Sequence, residues 1–498
     1  LGFRDKPIKF CIMRVFVRSW KAWNPAFKVL TGRGLKWTVA GALGVGTFLE
    51  TALAKEKKQE VYVWGRRESI PGGSEGDVLR PRRIEWFEGH EPGWCKLMLG
   101  PSFGAALDNQ GKLFVWGQGA GDTFVGPVAV RVGGEAAGFD FVDVQCSAAT
   151  VYALTKSGHT FVFNDISGAL QGPVTDGALS LIGHRVGGLP QPTWRNRLFG
   201  DGGVKQMSIG LEHAAFVTKR GEVYSVGGNE WGQCGQQPQR RKGPVGALES
   251  FEREEICPVQ VRFPDPIESV TVGGRHTMAL GTSGSLYAFG DDRRIQLALG
   301  DTRSMGGDQR HASGAVPREA AAAEQGPKQR AHYRFHEPHM QWTPTETLPP
   351  RARNRPPYPP PTLVACGEDF TVARFRDSPD WYSEDQETNV LFACGENGEG
   401  QCGRGYQQQQ QVWSMVRLPK KVRTAAIACG QGHTLVLSTS GDLFVWGTNA
   451  AGQLGTGSRA PACPPVRLAL EPGGSPQPIK AIFCGFRTSG VICEVERD

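Results

Sequence analysis

The stretch CGQGHTLVLSTSGDLFVWGTNAAGQLGTG, residues 429–457, decides the fold because the chain repeats it in varied form. Residues 434–439 alternate small and apolar side chains, residues 440–442 are a tight-turn signal, and residues 443–447 are a second β-rich run, so the pair predicts a β-hairpin. Glycines at 452, 455 and 457 suit sharp backbone turns, and residues 464–467 predict a strand that begins just after a proline. Each unit therefore supplies about four strands, the content of one propeller blade.

Both arms of the hairpin recur along the chain. The first-arm pattern occurs seven times, at 95–100, 142–146, 206–210, 270–273, 363–367, 427–430 and 482–485. The second-arm pattern also occurs seven times, at 61–65, 113–117, 160–163, 223–227, 286–290, 390–395 and 443–447. The chain thus opens with an unmatched second arm and closes with an unmatched first arm. We therefore predict an all-β fold, a seven-bladed β-propeller over residues 59–498 that is closed by pairing of both chain ends.

The predicted closure joins residues 482–495 to residues 61–65 and leaves no free sheet edge. The residues assigned to it are Val61, Tyr62, Val63, Ile482, Phe483, Val491 and Ile492.

Short motifs mark the turns of the repeats. They are CGQGHT at 429–434, GGRHT at 273–277, GLEH at 210–213, and the GQLG or GQCG turns that begin at 452, 400 and 232. Together these motifs resemble the repeats of the regulator of chromosome condensation family, from residue 59 to the end of the chain. Some copies depart from the pattern and carry Phe103, Ala149, Phe370 or Thr488 at the histidine position. The resemblance implies a propeller, and the founding nuclear member of the family exchanges guanine nucleotides on a small GTPase.

The charge of the chain is concentrated at its start. The net charge is +7, but residues 1–58 carry twelve Lys and Arg residues against three acidic residues, which leaves −2 for the rest. A nearly neutral propeller argues against broad nucleic-acid binding, which needs clustered cations. Residues 1–36 are basic and aromatic, as in a mitochondrial targeting region or the sequence just behind one. Because residue 1 is leucine, we expect the numbering to begin after a removed segment.

Residues 37–54, WTVAGALGVGTFLETALA, predict a transmembrane helix. The segment has ~18 residues, which is at the short limit for a span of ~30 Å. Its alternative, a buried helix docked on the propeller, is less favoured because a closed ring of blades has no spare groove. The sequence therefore predicts a single-pass protein of the mitochondrial inner membrane with membrane lipid as a partner. The residues assigned to the anchor are Trp37, Val39, Leu43, Val45, Phe48, Leu49 and Leu53.

Uneven spacing of the repeats indicates insertions. The repeat glycines 227 and 290 are 63 positions apart, whereas 290 and 395 are 105 positions apart. Residues 303–360 account for the excess and are rich in proline, so they predict an extended surface arm without central strands, either disordered or laid along a partner. Residues 172–200 and the glutamine run 407–411 predict loop elaborations.

The cysteines and histidines do not predict a metal or cofactor site. None of the twelve cysteines forms a Cys-x-x-Cys pair, and those at 146, 366, 429 and 484 share one strand position, as small inward-facing residues do. The histidines at 332, 336 and 339 have a spacing that could suit one metal, but they lack a nearby cysteine and lie in the proline-rich arm. The repeat histidines at 213, 276 and 433 predict hydrogen bonds to the backbone of the neighbouring blade.

No enzyme active site is predicted. The chain contains no Gly-rich phosphate loop before a Lys-Ser/Thr pair and no Gly-x-Ser-x-Gly elbow. The tryptophans at 64, 116 and 446 precede repeat glycines and predict packing between blades.

Three functions agree with these features. The first is a non-enzymatic scaffold, accessory subunit or assembly factor of a respiratory-chain complex in the mitochondrial inner membrane, with subunits of that complex as partners. The second is guanine-nucleotide exchange on a small GTPase, which needs no nucleophile. The third is association with mitochondrial ribosomal RNA through the basic N-terminus and residues 303–360.

Overall fold

A computed structural model describes the parts of the chain that form the repeats. The described residues are 57–119, 123–186, 203–236, 258–299, 340–347, 360–375, 390–407, 410–419, 422–471 and 478–496. The chain divides into two compact units, one of residues 58–495 and one of residues 1–57 with 496–498. The first of these units holds the repeats.

The regular structure of the described residues is almost entirely β. One short helix, α1 (Ile166–Gln171), begins after Asp165, whose carboxylate accepts a hydrogen bond from the N–H of Gly168. The strands in chain order are β1 (Lys57–Gly65), β2 (Val78–Arg83), β3 (Trp94–Leu99), β4 (Phe103–Asp108), β5 (Leu113–Gln118), β6 (Phe124–Gly134), β7 (Phe141–Cys146), β8 (Val151–Thr155), β9 (Thr160–Phe163), β10 (Ala178–Arg185), β11 (Val204–Ile209), β12 (His213–Thr218), β13 (Val223–Gly227), β14 (Val259–Val261), β15 (Ile267–Val272), β16 (His276–Gly281), β17 (Leu286–Asp291), β18 (Met340–Glu346), β19 (Pro361–Cys366), β20 (Phe370–Phe375), β21 (Val390–Gly395), β22 (Gln410–Met415), β23 (Thr424–Cys429), β24 (His433–Ser438), β25 (Leu443–Gly447), β26 (Ala462–Leu468), β27 (Ile479–Cys484) and β28 (Thr488–Glu496).

These strands form sheets in a propeller-like arrangement, which confirms the all-β, propeller-like part of the predicted fold class, whereas the number of blades and the N-terminal helix stay predictions. Four sheets contain four strands in chain order: β11–β14, β15–β18, β19–β22 and β23–β26. An eight-stranded sheet has the order β3-β4-β5-β6-β10-β9-β8-β7, in which the β6–β10 pair is parallel. The remaining sheet has the order β2-β1-β28-β27.

The sheet β23–β26 shows how the quoted stretch folds. The predicted hairpin is the antiparallel pair β24–β25, with Leu435 opposite Val445. Every residue of both strands is buried, because the second and third strands of a sheet are covered by neighbouring sheets on both faces. The fourth strand, β26, begins at Ala462 and so contains Pro464 and Pro465, whereas the sequence predicted a start after a proline. An outer strand tolerates proline because one of its edges has no partner.

The stretches predicted as first arms form a separate set of strands. They are β3, β7, β11, β15, β19, β23 and β27, and another strand lies between each of them and its predicted partner. The sequence predicted this additional strand only in the quoted stretch, as β24, because the turn before it is short. In β23–β24, for example, only Gly430, Gln431 and Gly432 separate the two strands.

Both ends of the repeat region contribute to the sheet β2-β1-β28-β27. Val61, Tyr62 and Val63 lie in β1, which is hydrogen-bonded to β28, the strand that holds Val491 and Ile492. Ile482 and Phe483 lie one strand further away, in β27, opposite Val491 and Gly490. Within residues 482–495, only β28 is next to β1, whose other neighbour is β2, and residues 482–484 pair with β28 instead.

Three segments predicted as loops contribute strands, of which β18 and β22 are edge strands and β10 lies between β6 and β9. Residues 178–185 form β10, residues 340–346 form β18 within the long insertion, and the glutamine run continues into β22. The insertion was predicted to lack central strands, and Met340–Glu346 forms an edge strand. An outer strand pairs along one edge and buries little, so it needs neither a continuous apolar run nor the absence of proline.

The repeat histidines join neighbouring sheets, although their partners differ from those predicted. The Nε2 atom of His433 lies 2.8 Å from the Ser489 hydroxyl of the next sheet, which itself donates to the Gln453 carbonyl at 2.7 Å. Because that hydroxyl has a single proton, the imidazole N–H donates to it. His213 and His276 make the same contact with Thr277 and Thr371, at 2.7 and 2.9 Å. The imidazoles therefore bind side-chain hydroxyls and not the predicted backbone.

These buried histidines predict a loss of stability in acid. Burial lowers the pKa of His213, His276 and His433 to about 3, 4 and 3. Below the ordinary pKa of ~6.5, the unfolded chain therefore binds protons that the folded chain does not, so stability is full above this pH and falls towards pH 3–4. The variant His433→Phe copies Phe370, which holds the same position in β20. We expect the free energy of unfolding of this variant to fall less steeply with decreasing pH than that of the unaltered chain. Urea unfolding at pH 7.5, 5.5 and 4.5 measures how the free energy of unfolding of each protein depends on pH. Equal dependence on pH contradicts the prediction.

The tryptophans that precede repeat glycines also join neighbouring sheets. Trp64, Trp116 and Trp446 are fully buried. Their indole N–H groups donate to the carbonyls of Gln453, Ser69 and Gln401, at 2.8, 2.9 and 2.8 Å.

Several predicted features lie outside the described residues. They are the membrane segment with Trp37, Val39, Leu43, Val45, Phe48, Leu49 and Leu53, and the histidines at 332, 336 and 339. Within the described part of the chain, no helix combines the length and the apolar character needed to cross a membrane.

Candidate functional site

In each sheet, one turn leads into the second strand and another turn follows the third strand. Both turns lie at the same end of the sheets, which is here called the loop face. Strand direction alternates, so these two turns meet, and backbone hydrogen bonds join them. The N–H of Asp291 donates to Arg275 O at 2.9 Å, and that of Glu396 donates to Asp369 O at 2.9 Å. These backbone hydrogen bonds therefore hold the side chains of the two turns close together.

One group of side chains on the loop face is joined by hydrogen bonds and ring contacts and is here called the Trp231 cluster. It is made of Glu212, Trp231, Arg275, Asp291 and Arg293. The guanidinium of Arg293 lies 3.6 Å from the centre of the Trp231 ring, and that of Arg275 lies 5.6 Å from it. A cation over an indole face is attracted by the ring quadrupole. The cluster joins two sheets, since Glu212 and Trp231 belong to β11–β14 and the others to β15–β18.

Carboxylates hold both arginines of the Trp231 cluster in place. Arg293 donates to both carboxylate oxygens of Asp291, at 3.0 and 2.8 Å, and Asp291 is 1% exposed. Arg275 donates through two nitrogens to Glu212, at 3.0 and 2.8 Å. These charge-assisted hydrogen bonds raise the pKa of both arginines and fix their planes. The cluster is thus held in one arrangement by its own hydrogen bonds.

Further charged residues extend the face to a third sheet. Arg294 pairs with Glu396 at 3.1 Å, across the boundary between β15–β18 and β19–β22. Asp369 lies near Asp291, and burial, Glu368 and Asp291 raise its pKa to about 6 against the opposing effect of Arg275 and Arg294. The face therefore presents closely spaced acids and arginines.

Within the described residues, no three His, Cys, Asp or Glu side chains are placed to hold a metal ion. The cysteines that share one strand position, Cys366, Cys429 and Cys484, lie in β19, β23 and β27, and burial raises the pKa of each thiol. Thiols of this kind are poor nucleophiles.

The sequence contained one unused signal for this face. In the turn after β17, Asp292, Ile295 and Ala298 stand where the quoted repeat has Asn449, Gly452 and Gly455. This departure from the repeat lies directly beside Asp291 and Arg293. The predicted closure residues, in contrast, lie in β1, β27 and β28 and contribute no side chain to the Trp231 cluster.

The fold is propeller-like, and three segments of the chain match a known repeat. Residues 220–280, 389–437 and 440–492 match the Regulator of chromosome condensation (RCC1) repeat, and residues 425–453 match a second description of the same repeat. These matches support the resemblance of the chain to the RCC1-like family.

Two relatives extend this comparison. The chain is 24% identical to the Ultraviolet-B receptor UVR8 of Arabidopsis thaliana over 58% of its own length and 51% of that protein. It is 23% identical to RCC1 domain-containing protein RUG3, mitochondrial, of the same plant, over 79% of its own length and 75% of that protein. The chain thus spans about half the length of the first of these relatives and three quarters of the second.

A solved structure shares the fold. The chain superposes on Prp20p of Saccharomyces cerevisiae with a TM-score of 0.60 and 16% identity, covering 89% of this chain and 92% of Prp20p. That structure was reported together with the binding of Prp20p to Gsp1p and histones. At this identity the similarity establishes the fold alone.

Proposed function

We propose that this chain is a non-enzymatic scaffold, an accessory subunit or assembly factor of a respiratory-chain complex in the mitochondrial inner membrane. Its seven-bladed propeller presents the loop face to a protein partner, and residues 37–54 anchor it in the membrane. The observation that carries the proposal is the Trp231 cluster, because Trp and Arg held rigidly by their neighbours are the residues that dominate protein interfaces. The basic residues 1–36 and the mitochondrial relative RUG3 support the location.

The test is native separation of complexes after gentle detergent solubilisation of mitochondria. We expect the chain to co-migrate with a membrane complex and to resist carbonate extraction. Arg275→Glu reverses a charge of the cluster, so it should lower the co-migrating fraction by about tenfold or more. The matched control is Arg220→Glu in the exposed turn between β12 and β13, at the opposite end of the sheets. A freely soluble chain, or equal effects of both variants, contradicts the proposal.

Guanine-nucleotide exchange on a small GTPase is the second candidate. Exchange can work by placing a loop and acidic groups against the nucleotide site, and Asp369 and Glu368 project from one turn of the loop face. The fold of Prp20p, which was reported to bind Gsp1p, adds to this candidate.

Release of labelled GDP from a small GTPase tests the exchange candidate. If the chain is an exchange factor, it accelerates release, and Asp369→Asn lowers that rate by about tenfold or more. Arg220→Glu again serves as the control. No acceleration by the unaltered chain removes this candidate and leaves the scaffold proposal standing.

Association with mitochondrial ribosomal RNA is the third candidate, through residues 1–36 and 303–360. The described loop face offers it little support, because Arg275, Arg293 and Arg294 are each paired with a carboxylate. Binding that weakens steeply with salt would favour it.

A further inference from the structure

The end of the sheets opposite the loop face, here called the far end, carries an exposed tryptophan. Trp86 lies in the connection between β2 and β3, which is at the far end because β2 runs away from the loop face, and it is 40% exposed. The centre of one of its rings lies 5.0, 5.3 and 5.7 Å from those of Phe87, Trp94 and Phe114, all of which are buried. These buried rings hold Trp86 in place at the surface.

Two further apolar side chains extend this surface. Phe139, in the connection between β6 and β7, is 37% exposed, and Val142 in β7 is 51% exposed. The turn between β4 and β5 lies between the connection that holds Trp86 and the one that holds Phe139, and backbone hydrogen bonds of 2.9 and 3.0 Å join it to both sides. Trp86, Phe139 and Val142 are here called the Trp86 rim.

Strand β1 begins beside the Trp86 rim. The side-chain oxygen of Gln59 accepts a hydrogen bond from the N–H of Trp94 at 2.6 Å, and its side-chain nitrogen donates to the Trp94 carbonyl at 3.2 Å. Lys58 pairs with Glu88 at 2.7 Å, and Glu88 is two residues after Trp86. These contacts fix the first residues of β1 at the far end.

The sequence limits the distance from this point to the predicted membrane segment. That segment ends at residue 54 and β1 begins at Lys57, so only residues 55 and 56 lie between them. Three residue steps span at most ~11 Å even in a fully extended chain. If residues 37–54 cross the membrane, the start of β1 is therefore held within about 11 Å of the point where they leave it.

The residues at this point suit the boundary between lipid headgroups and acyl chains. Tryptophan is enriched at that boundary, because its ring is apolar and its N–H is polar. Residues 55–58 carry three lysines and one glutamate, and anionic headgroups attract such a positive segment. On the loop face, in contrast, Glu368 and Asp369 carry negative charge that the same headgroups repel.

We propose that the Trp86 rim lies on the lipid surface of the membrane that residues 37–54 cross. Trp86 and Phe139 lie at the level of the headgroups, and the loop face points away from the membrane, towards a protein partner. This inference rests on the proposed membrane anchor and adds which end of the propeller faces lipid.

Photo-crosslinking of the full chain in vesicles of phosphatidylcholine and cardiolipin tests this orientation. The photoreactive residue p-benzoylphenylalanine is placed at position 86 or 139, and mass spectrometry after illumination identifies what each position has captured. We expect lipid adducts at both positions, with yields about tenfold or more above the yield at position 231 of the loop face, because a ring at headgroup level stays in contact with lipid.

Val466 supplies the matched control for exposed apolar surface. It is 37% exposed, as Phe139 is, but it lies in the outer strand β26 and not in the Trp86 rim. We expect few lipid adducts at position 466. Each variant is first compared with the unaltered chain by urea unfolding, and positions 86 and 139 report independently, so a folding defect at one of them leaves the other as a test.

Several results would overturn the proposal. One is an equal yield of lipid adducts at positions 86, 139, 231 and 466. Another is capture of residues 1–56 of the same chain, or of a second copy, at position 86, because protein then covers the rim. Carbonate extraction of the same vesicles separates the two levels of inference. Release of the chain removes the membrane anchor and this proposal with it, whereas a carbonate-resistant chain without lipid adducts at positions 86 and 139 overturns the orientation alone.

Discussion

Trp64→Ala is expected to destabilise the chain by about 3–5 kcal/mol, the usual cost of removing a large buried aromatic side chain. Trp64 is 0% exposed and packs among Leu435, Leu454 and Val491 between the first and last repeats. Its indole N–H also donates to the Gln453 carbonyl at 2.8 Å, and the variant leaves that carbonyl without this donor. The free energy of unfolding in urea at neutral pH measures the loss.

Two further variants separate packing from hydrogen bonding at Trp64. Trp64→Phe keeps most of the apolar volume and removes the donor, so its cost should be well below that of alanine. Trp86→Ala is the control for aromatic content, because Trp86 is 40% exposed and should cost less than either. A loss for Trp64→Ala no larger than for Trp86→Ala contradicts the assigned role.

Gly485→Ala is expected to cost at least about 3 kcal/mol, at the upper end of overpacking effects. The Cβ of an alanine at this position would overlap the backbone carbonyl oxygen of Leu99 in the adjacent sheet. The N–H of Phe486 donates to the same carbonyl at 3.1 Å, so the two chain segments cannot separate without losing that bond. Because the clash involves backbone on both sides, no side-chain rotation relieves it. Urea unfolding again measures the effect.

Gly126→Ala is the matched control for this substitution. Gly126 lies in β6, and a Cβ built there meets no atom within 4 Å. Alanine should be neutral or stabilise by up to about 1 kcal/mol, since it restricts the unfolded chain. Similar losses for the two glycines would show that the close approach of Gly485 to Leu99 is not the cause.

The sequence predicted those parts of the fold in which local pattern and tertiary environment agree. The pair β24–β25 has a continuous apolar run on each side of a turn signal, and it forms as predicted. The same agreement holds for the buried tryptophans at 64, 116 and 446. It fails for strands such as β10 and β18, whose pairing with β6 and β17 joins residues about 50 positions apart and leaves little trace in composition.

The loop face could be predicted only in part. The repeat pattern places Asp292, Ile295 and Ala298 at positions of asparagine and glycine, so their irregularity was visible in the sequence. The partners of Arg293 and Arg275 were not, because Trp231 and Glu212 lie about 60 residues earlier, in another sheet. Only the packing of one sheet against the next brings these side chains together.

The shared sheet β2-β1-β28-β27 has a consequence for how the protein is made. Strand β1 leaves the ribosome early, yet its neighbour β28 follows more than 400 residues later, and the hydrogen bond of Trp64 to Gln453 spans 389 residues. Until then one edge of β1 has no strand to pair with, and such edges recruit other chains. The contact that completes the sheet is also among those with the greatest sequence separation, which makes it slow to form. We therefore expect β1 to stay open to pairing with a wrong partner until β28 has been synthesised.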